Sequence, residues 1–323
     1  MHIRPDLSAQ RDVPAVAIAL VFLALGAAGC GQSNGSPAEP LTTKPSSANM
    51  ALTQSPAAAR SIVTSLWSRR ESALGSLDAT EIDRLESSYA KRQDDAYINS
   101  VLCRCEPEKN PHPSDHVIPQ IPKASVQPVF FAQVHTTNSD TGERPWYLVA
   151  VERDDSGSWK LAHVTLGGYK AAPPLRGLTN SDGYTLRVSA VSHARITRLA
   201  ENAIRFANTH NDLTQRTDYG ATIHARYALE PERDGVYGLA LTSGKVLSCF
   251  AMHRIDTYSL QAGLLQGQAR RQWGHALPPG IYKSITVDNA EPMCVVGRGV
   301  GKSVGVRQFK YDTRVIATSG VRK

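Results

Sequence analysis

Two stretches of the chain have apolar residues at helical spacing, and each is followed by stretches in which apolar and polar residues alternate. The first helical stripe begins after Ser55, which can cap a helix starting at Pro56, and Gly75 is placed to end it. A second helix is predicted over residues 81–97. The alternating patterns predict three strands, at 126–137, 144–153 and 159–166. This order predicts helices packed on an antiparallel meander.

The same order of elements recurs after a linker at residues 171–185, which is rich in Pro, Gly and Asn. Residues 190–208 have the helical pattern of apolar positions. Further strands are predicted at 219–228, 234–242, 245–258, 263–273, 281–288, 292–298 and 306–318. We therefore expect an α+β protein of two tandem units, at residues 51–170 and 186–323. In each unit, one or more helices would pack on a curved antiparallel β-meander.

The N-terminus has the pattern of a signal peptide. Its apolar run from Val13 to Ala28 has 16 residues, fewer than the about 20 that a membrane-spanning helix needs, and a polar segment precedes it. The end of this run resembles the bacterial lipobox, with the sequence Leu25-Gly26-Ala27-Ala28-Gly29-Cys30. Residues 1–29 are therefore predicted to be a lipoprotein signal peptide, with diacylglycerol linked to the thiol of Cys30. The alternative is that Cys30 only lies beside an ordinary signal cleavage site.

The segment that follows is predicted to be a disordered tether at residues 30–50. It is rich in Gly, Ser, Pro, Thr and Asn, and it has too few large apolar residues to form a core. A lipidated cysteine followed by such a spacer would hold the folded part at the extracytoplasmic face of the cell membrane. The membrane is therefore the first expected partner.

Basic residues are unevenly distributed along the chain. The formal net charge is +7, and the isoelectric point is about 9.2. Residues 51–185 contain 14 Lys and Arg against 16 Asp and Glu, whereas residues 186–323 contain 19 against 10. The second unit is thus basic and suits an anionic cell-wall polymer or lipid surface, unless the excess only keeps a secreted protein soluble. Nucleic acid is not expected as a partner outside the cytoplasmic membrane.

Four cysteines remain after Cys30, and disulfides are permitted outside the cytoplasmic membrane. Cys249 and Cys294 lie in two strand candidates and are separated by 45 residues. A bridge between two strands of one sheet is a reasonable prediction for them. Cys103 and Cys105 are too close in sequence for a relaxed bridge, although a small strained ring is an alternative. Four cysteines allow three pairings, and the sequence does not choose between them.

No residue is predicted to be catalytic, to bind a cofactor or to bind a metal ion. The serines lie in no Gly-x-Ser-x-Gly motif, segment 297–303 lacks the spacing of a phosphate-binding loop, and no Cys or His pair has zinc-ligand spacing. Adjacent carboxylates such as those of Asp94 and Asp95 are expected to be solvated. Any histidine of a strand candidate could be a general base if it lined a pocket. The candidates are His135, His163, His253 and His275.

Two short motifs of the first unit carry a resemblance. They are Leu66-Trp67-Ser68-Arg69-Arg70-Glu71-Ser72-Ala73-Leu74 in the first helix and Trp159-Lys160-Leu161 in a strand. Together with the lipobox and spacer, they resemble predicted actinomycete lipoproteins of undefined function. The resemblance covers roughly residues 15–170, and it implies no catalytic or binding residues. The order of helices and strands also resembles the cystatin/NTF2-like class, which hosts enzymes and binding modules alike.

Three functions remain open at this point. The first is a non-enzymatic, lipid-anchored protein that binds an envelope partner. The second is an extracytoplasmic enzyme with an NTF2-like pocket, in which His135 or His163 would be the base. The third is electrostatic attachment of the second unit to anionic wall polymer or lipid. A buried Asp–His pair in a deep polar pocket would argue against the first function.

Overall fold

The architecture is taken from a computed structural model of the chain. It describes residues 55–102, 112–122, 129–138, 141–168, 184–185, 190–211, 213–216, 221–241, 245–259, 282–297, 307–310 and 314–322. These residues form an α+β fold with two sheets, whose strands pair antiparallel except at one short parallel pair. The α+β class agrees with the sequence prediction.

The described residues of the first half form three helices and a five-stranded sheet. The helices are α1 (Pro56–Ser76), α2 (Ala79–Leu85) and α3 (Ser88–Leu102). The strands are β1 (Ser114–Pro122), β2 (Val129–Thr136), β3 (Trp146–Arg153), β4 (Trp159–Gly168) and β5 (Tyr184–Thr185). Their order in the sheet is β4-β3-β2-β1-β5. Ser55 caps α1 by accepting a hydrogen bond from the backbone N–H of Ala58 (3.1 Å).

The described residues of the second half form two helices, α4 (Ala190–His210) and α5 (Pro231–Asp234), and a seven-stranded sheet. The strands are β6 (Thr214–Arg216), β7 (Thr222–Leu229), β8 (Val236–Ala240), β9 (Val246–Ser259), β10 (Tyr282–Gly297), β11 (Arg307–Lys310) and β12 (Arg314–Arg322). The long strands β9 and β10 are central and pair with each other along their length. On its other side, β9 pairs first with β8 and then with β7, and β10 pairs first with β12 and then with β11.

The predicted second helix is two helices in the structure. After α2, Glu86 is extended and the backbone N–H of Ser87 donates to the carbonyl of Leu161 in β4 (2.9 Å). Ser88 then has a φ of 49°, and α3 begins. A hydrogen bond to a distant strand therefore breaks the helix, and helical spacing alone cannot reveal such a contact.

Strand β1 was missed by the sequence pattern because it contains Pro119 and Pro122. Proline has no backbone N–H and is tolerated where a strand lacks a neighbour on one side. The strand pairs with β2 along most of its length, whereas β5 pairs with it only at Ile121 and Pro122. The end of α1 also differs from the prediction, because the helix passes through Gly75 and ends at Ser76, with Leu77 in the left-handed region.

Two predicted strands of the second half, at 281–288 and 292–298, form the single strand β10. Pro292 lies in this strand between the last residue that pairs with β12, Ala290, and the first that pairs with β11, Met293. Its missing N–H therefore leaves no ladder bond unmade on that side. The strand predicted at 263–273 lies outside the described residues, as does most of the linker at 171–185.

The two sheets pack face to face between outer helices. Helix α1 covers the outer face of the first sheet, and α4 covers the outer face of the second. A hydrophobic cluster between the sheets draws residues from both halves. It consists of Val129, Phe131, Trp146, Leu148, Ala150, Ala162, Tyr237, Leu239, Leu247, Cys249 and Cys294. The described part is therefore a four-layer structure whose halves share buried apolar surface.

Candidate functional site

Helix α3 lies at the boundary between the halves and directs charged side chains into both. Asp94 pairs with Arg70 of α1, and Arg92 pairs with Asp234 of α5. Residues two positions apart project about 200° apart around a helix, so Arg92 and Asp94 point to opposite sides. On the same helix, Tyr89 donates a hydrogen bond to the carbonyl of Ala290 in β10 (3.0 Å). The helix thus connects two separate polar clusters.

The first polar cluster, here named the Arg70 cluster, consists of Arg70, Glu71, Glu86 and Asp94. All four side chains are buried. Arg70 donates from Nε to Glu86 (2.8 Å) and from Nη1 to Glu71 (2.9 Å), and its Nη2 donates to Asp94 (2.8 Å). The break between α2 and α3 places Glu86 in this position. The expectation that Asp94 is solvated was therefore wrong, because it is buried and pairs with Arg70, which lies 24 residues earlier in the chain on another helix.

Three buried carboxylates surround the one guanidinium of the Arg70 cluster, and their pKa values reflect this. Burial raises the pKa of Glu86 well above its usual range, and the carboxylate of Asp94 raises it further. Burial also raises the pKa of Glu71. Burial lowers the pKa of Arg70, but the three carboxylates outweigh this effect and raise it above its ordinary value. Arg70 is therefore a fixed cation, and Glu86 is the member most ready to take a proton.

The second polar cluster, here named the His253 cluster, consists of Arg92, Glu230, Asp234, His253 and Asp288. Its position follows from the way the chain changes partner along β9. Strand β7 pairs with β9 up to Leu229, and β8 resumes the pairing at Val236. The intervening residues form α5 and turn at a glycine, and they bring Glu230 and Asp234 close to His253.

The two carboxylates that contact His253 approach opposite sides of its ring. His253 is directly opposite Ala290 in the pairing of β9 with β10, so Asp288 is its diagonal neighbour on the same face. Its Nδ1 lies 2.9 Å from Oδ1 of Asp288, and its Nε2 lies 2.5 Å from Oδ2 of Asp234. Both carboxylates and the ring are buried. Arg92 completes the arrangement, with its Nη2 at 3.5 Å from Nε2 of His253.

The carboxylates hold a proton on His253. Burial lowers the pKa of this histidine, but the hydrogen bonds and charges of Asp234 and Asp288 outweigh burial and raise it to about 9. Burial raises the pKa of Glu230, which is half-buried at the edge of the cluster. Near neutral pH, both ring nitrogens of His253 therefore carry protons and donate to carboxylates.

Of the two histidines proposed as bases, His163 is enclosed in the core and His135 is partly exposed. The Nε2 of His163 is hydrogen bonded to Oγ1 of Thr165 (2.6 Å), and burial lowers its pKa to about 3. Burial also lowers the pKa of His135, which faces His116 across the pairing of β1 with β2. Strand β3 separates the strands that carry the two candidates, so the structure does not bring them together.

The predicted bridge between Cys249 and Cys294 is a disulfide in the structure. Both residues are fully buried in the cluster between the sheets, directly opposite each other on β9 and β10. Cys30, Cys103, Cys105 and His275 lie outside the described residues. The sulfur of Cys294 also lies 3.5 Å from Oγ1 of Thr165 in β4, which places the bridge against the first half.

Two groups of side chains have metal-ligand atoms close together in the described part of the chain. The ligand atoms of Glu230, Asp234 and His253 lie within 4.8 Å of one another, as do those of His163 and the two cysteines. The second group has no thiolate to offer, because its sulfur atoms form the disulfide. The first group offers one imidazole nitrogen and two carboxylates, a set that Zn²⁺ accepts.

Sequence reasoning missed the His253 cluster, although it named His253 among the strand histidines. Arg92 is on a helix 161 residues away, and Asp288 is on another strand. The one local signal is the acidic segment around Pro231 between two strands. Its contact with His253 depends on strand register, which the alternation of residues does not determine.

A search for a membrane-spanning helix, limited to the described residues, finds none that is long and apolar enough. Comparisons with family models, curated proteins and solved structures found no match to this chain.

Proposed function

We propose that this chain is a lipid-anchored, extracytoplasmic binding protein. Residues 1–29 would be the signal peptide, Cys30 would carry the lipid, and the following residues would be the spacer. The single observation that carries the extracytoplasmic assignment is the buried disulfide between Cys249 and Cys294. Disulfides form and persist in oxidising compartments, and thiols of cytosolic proteins are generally kept reduced.

The start of the folded part is consistent with a tether. The first helix begins at Pro56 with a cap at Ser55, so 24 residues separate Cys30 from this cap. A flexible chain of that length spans about 27 Å on average. This distance would let the folded part turn at the membrane surface and meet a partner in the envelope.

The chemistry of the buried histidines favours binding over catalysis. A general base needs a ring nitrogen that can accept a proton from a substrate. In the described structure, His253 directs both nitrogens at carboxylates, and His163 is fully buried. Both ring nitrogens of the histidine in the buried Asp–His pair are therefore occupied by contacts within the protein. We further propose that each half is a unit of the cystatin/NTF2-like class, which the packing of a helix on an antiparallel sheet in each half supports.

The anchoring proposal is tested by metabolic labelling with a clickable fatty acid in the native host. We expect label in the unaltered protein, loss of label in Cys30→Ser, and retained label in the matched control Cys103→Ser. Loss of label from both variants would mean that the substitutions disturb processing in general, and it would not identify Cys30 as the lipidated residue. An unlabelled parent protein released into the medium would overturn the proposal.

A second candidate function is electrostatic attachment to an anionic surface, and the outer face of α4 favours it. Arg198 and Arg205 are exposed on this helix. Phe206, an apolar residue of the helical stripe, is 48% exposed and stacks on His210 with ring centroids 4.0 Å apart. Two exposed arginines and an exposed aromatic ring on one helix suit the boundary between anionic headgroups and acyl chains.

This second candidate is tested by co-sedimentation with vesicles that contain phosphatidylglycerol. We expect binding to weaken as salt rises from 50 to 500 mM, because exposed charges are screened. Replacing Arg198 and Arg205 together by Gln should weaken binding, whereas Arg84→Gln on the first half should not. Salt-independent binding, or equal binding of all variants, would exclude this function.

A further inference from the structure

We infer that Glu230, Asp234 and His253 form a binding site for a divalent transition-metal ion such as Zn²⁺, with Asp288 supporting the histidine ligand. The inference is independent of the proposed anchor and of the α4 surface. It rests on the positions of the ligand atoms, the hydrogen bond behind the histidine, and the balance of charge in the cluster.

The ligand atoms already lie close together. The three atoms are within 4.8 Å of one another, and Nε2 of His253 and Oδ2 of Asp234 are 2.5 Å apart. Zn²⁺ binds nitrogen and carboxylate oxygen at about 2.0–2.2 Å, so Nε2 and Oδ2 would move apart to roughly 3.4 Å around a tetrahedral ion. Glu230 is half-buried and lies at the edge of the cluster. Three protein ligands would leave a fourth position for water or another ligand.

Asp288 gives His253 the support that metal-binding histidines usually have. Its Oδ1 lies 2.9 Å from Nδ1 of the ring, which orients the ring and directs Nε2 toward Asp234. Histidine ligands of metal ions commonly donate their other N–H to a carboxylate in this way. The carboxylate that supports the histidine ligand is therefore present, although Asp288 is on β10 and His253 is on β9.

The charges of the cluster suit a divalent ion. The cluster contains three carboxylates and one arginine, Arg92, which pairs with Asp234. A histidine that binds a metal ion is neutral, so the formal charge of these groups is then −2, which one divalent ion balances. Arg226 also acts on Glu230, but it is exposed and therefore screened by water.

The two carboxylate oxygens of Asp234 can contact a metal ion and Arg92 at the same time. Arg92 faces Oδ1 of Asp234, whereas Oδ2 faces the histidine. Oδ1 is buried and accepts no well-directed hydrogen bond among the described residues. Oδ2 can therefore bind the ion while Arg92 keeps its contact with Oδ1.

The experiment is a titration of the full-length, EDTA-treated protein with Co²⁺ and then with Zn²⁺. The readouts are the visible absorption of tetrahedral Co²⁺ and calorimetry. We expect one ion per chain and displacement of Co²⁺ by Zn²⁺. Glu230→Gln should weaken binding at least tenfold, whereas the control Glu232→Gln, at an exposed position of the adjoining helix α5, should bind as the parent does.

Asp288→Asn provides a second variant, with binding weakened by about 10- to 100-fold if the outer carboxylate supports the ligand. Circular dichroism establishes whether this buried substitution folds. Because Glu230 is at the rim of the cluster, its variant keeps the test valid even if Asp288→Asn unfolds. An absence of stoichiometric binding, or unchanged affinity in Glu230→Gln, would overturn the inference.

Discussion

Arg92 of α3 forms an ion pair with Asp234 of α5, and this contact joins the helices of the first half to the second sheet. Asp234 is buried, and four-fifths of the arginine side chain is covered. The pair therefore lies in a region of low dielectric constant, where one partner without the other is costly. Together with the shared apolar cluster, it couples the stability of the two halves.

Arg92→Gln is expected to lower the free energy of unfolding by about 3 kcal/mol, because it removes one of the two cations, Arg92 and protonated His253, that contact the buried Asp234. The matched control is Arg69→Gln, whose pair with Glu81 is at the surface, so that its loss should change the stability much less than the loss of Arg92 does. Urea denaturation of both variants gives the comparison. Equal losses would mean that the Arg92 contact is no stronger than a surface pair.

Glu86→Gln is expected to become relatively more stable than the parent as the pH rises. Burial and Asp94 raise the pKa of Glu86, so the folded state holds this proton more tightly than the unfolded state does. The stabilisation from that proton is present below the unfolded pKa of about 4.5 and is lost as the pH rises through the folded pKa. Urea denaturation at pH 5 and pH 8 measures the difference. A constant difference would contradict the assignment.

His163→Gln is expected to make the protein less sensitive to acid. Burial lowers the pKa of His163 to about 3, so only the unfolded chain takes up this proton below pH 6.5 or so. The parent should therefore lose about 2–3 kcal/mol between pH 7 and pH 4.5 through this group. The control is His224→Gln at an exposed position. A similar pH slope in parent and His163→Gln would show that another group sets the acid sensitivity.

The double substitution Cys249→Ala and Cys294→Ala is expected to lower the free energy of unfolding by about 4 kcal/mol. The bridge closes a loop of 45 residues, and the chain-entropy estimate for that length gives this figure. Thermal and urea denaturation under oxidising conditions test it. When the unfolded parent is reduced, most of the difference in the free energy of unfolding between parent and variant should disappear. A difference that persists would mean that packing, and not the bridge, causes the loss of stability.

Much of the local structure could be predicted from the sequence. The stripe from Ala59 to Leu74 predicts α1, because each of its apolar positions returns to the same side of a helix. The alternation over residues 159–166 predicts strand β4, because side chains two positions apart lie on the same face of a strand. The bridge between Cys249 and Cys294 could also be predicted, because both residues lie in predicted strands that could be neighbours in one sheet.

The candidate site could not be predicted, because its members meet only through long-range contacts. His253 needs the register of β9 with β10 to reach Asp288, and it needs the change from β7 to β8 to reach Asp234. A carboxylate looks equally polar in the sequence whether it is buried or solvated. Asp94 was misread for this reason, since only the position of Arg70 decides its burial.

The sequence by itself determined the α+β class, the positions of most helices and strands, and the prediction of a signal and a lipidated cysteine. These properties follow from local periodicity and composition. Only the tertiary structure decided that the sheets pack face to face and that α3 connects two buried charge clusters. Such contacts join residues far apart in the chain, and their energies depend on burial and register, which no local pattern encodes.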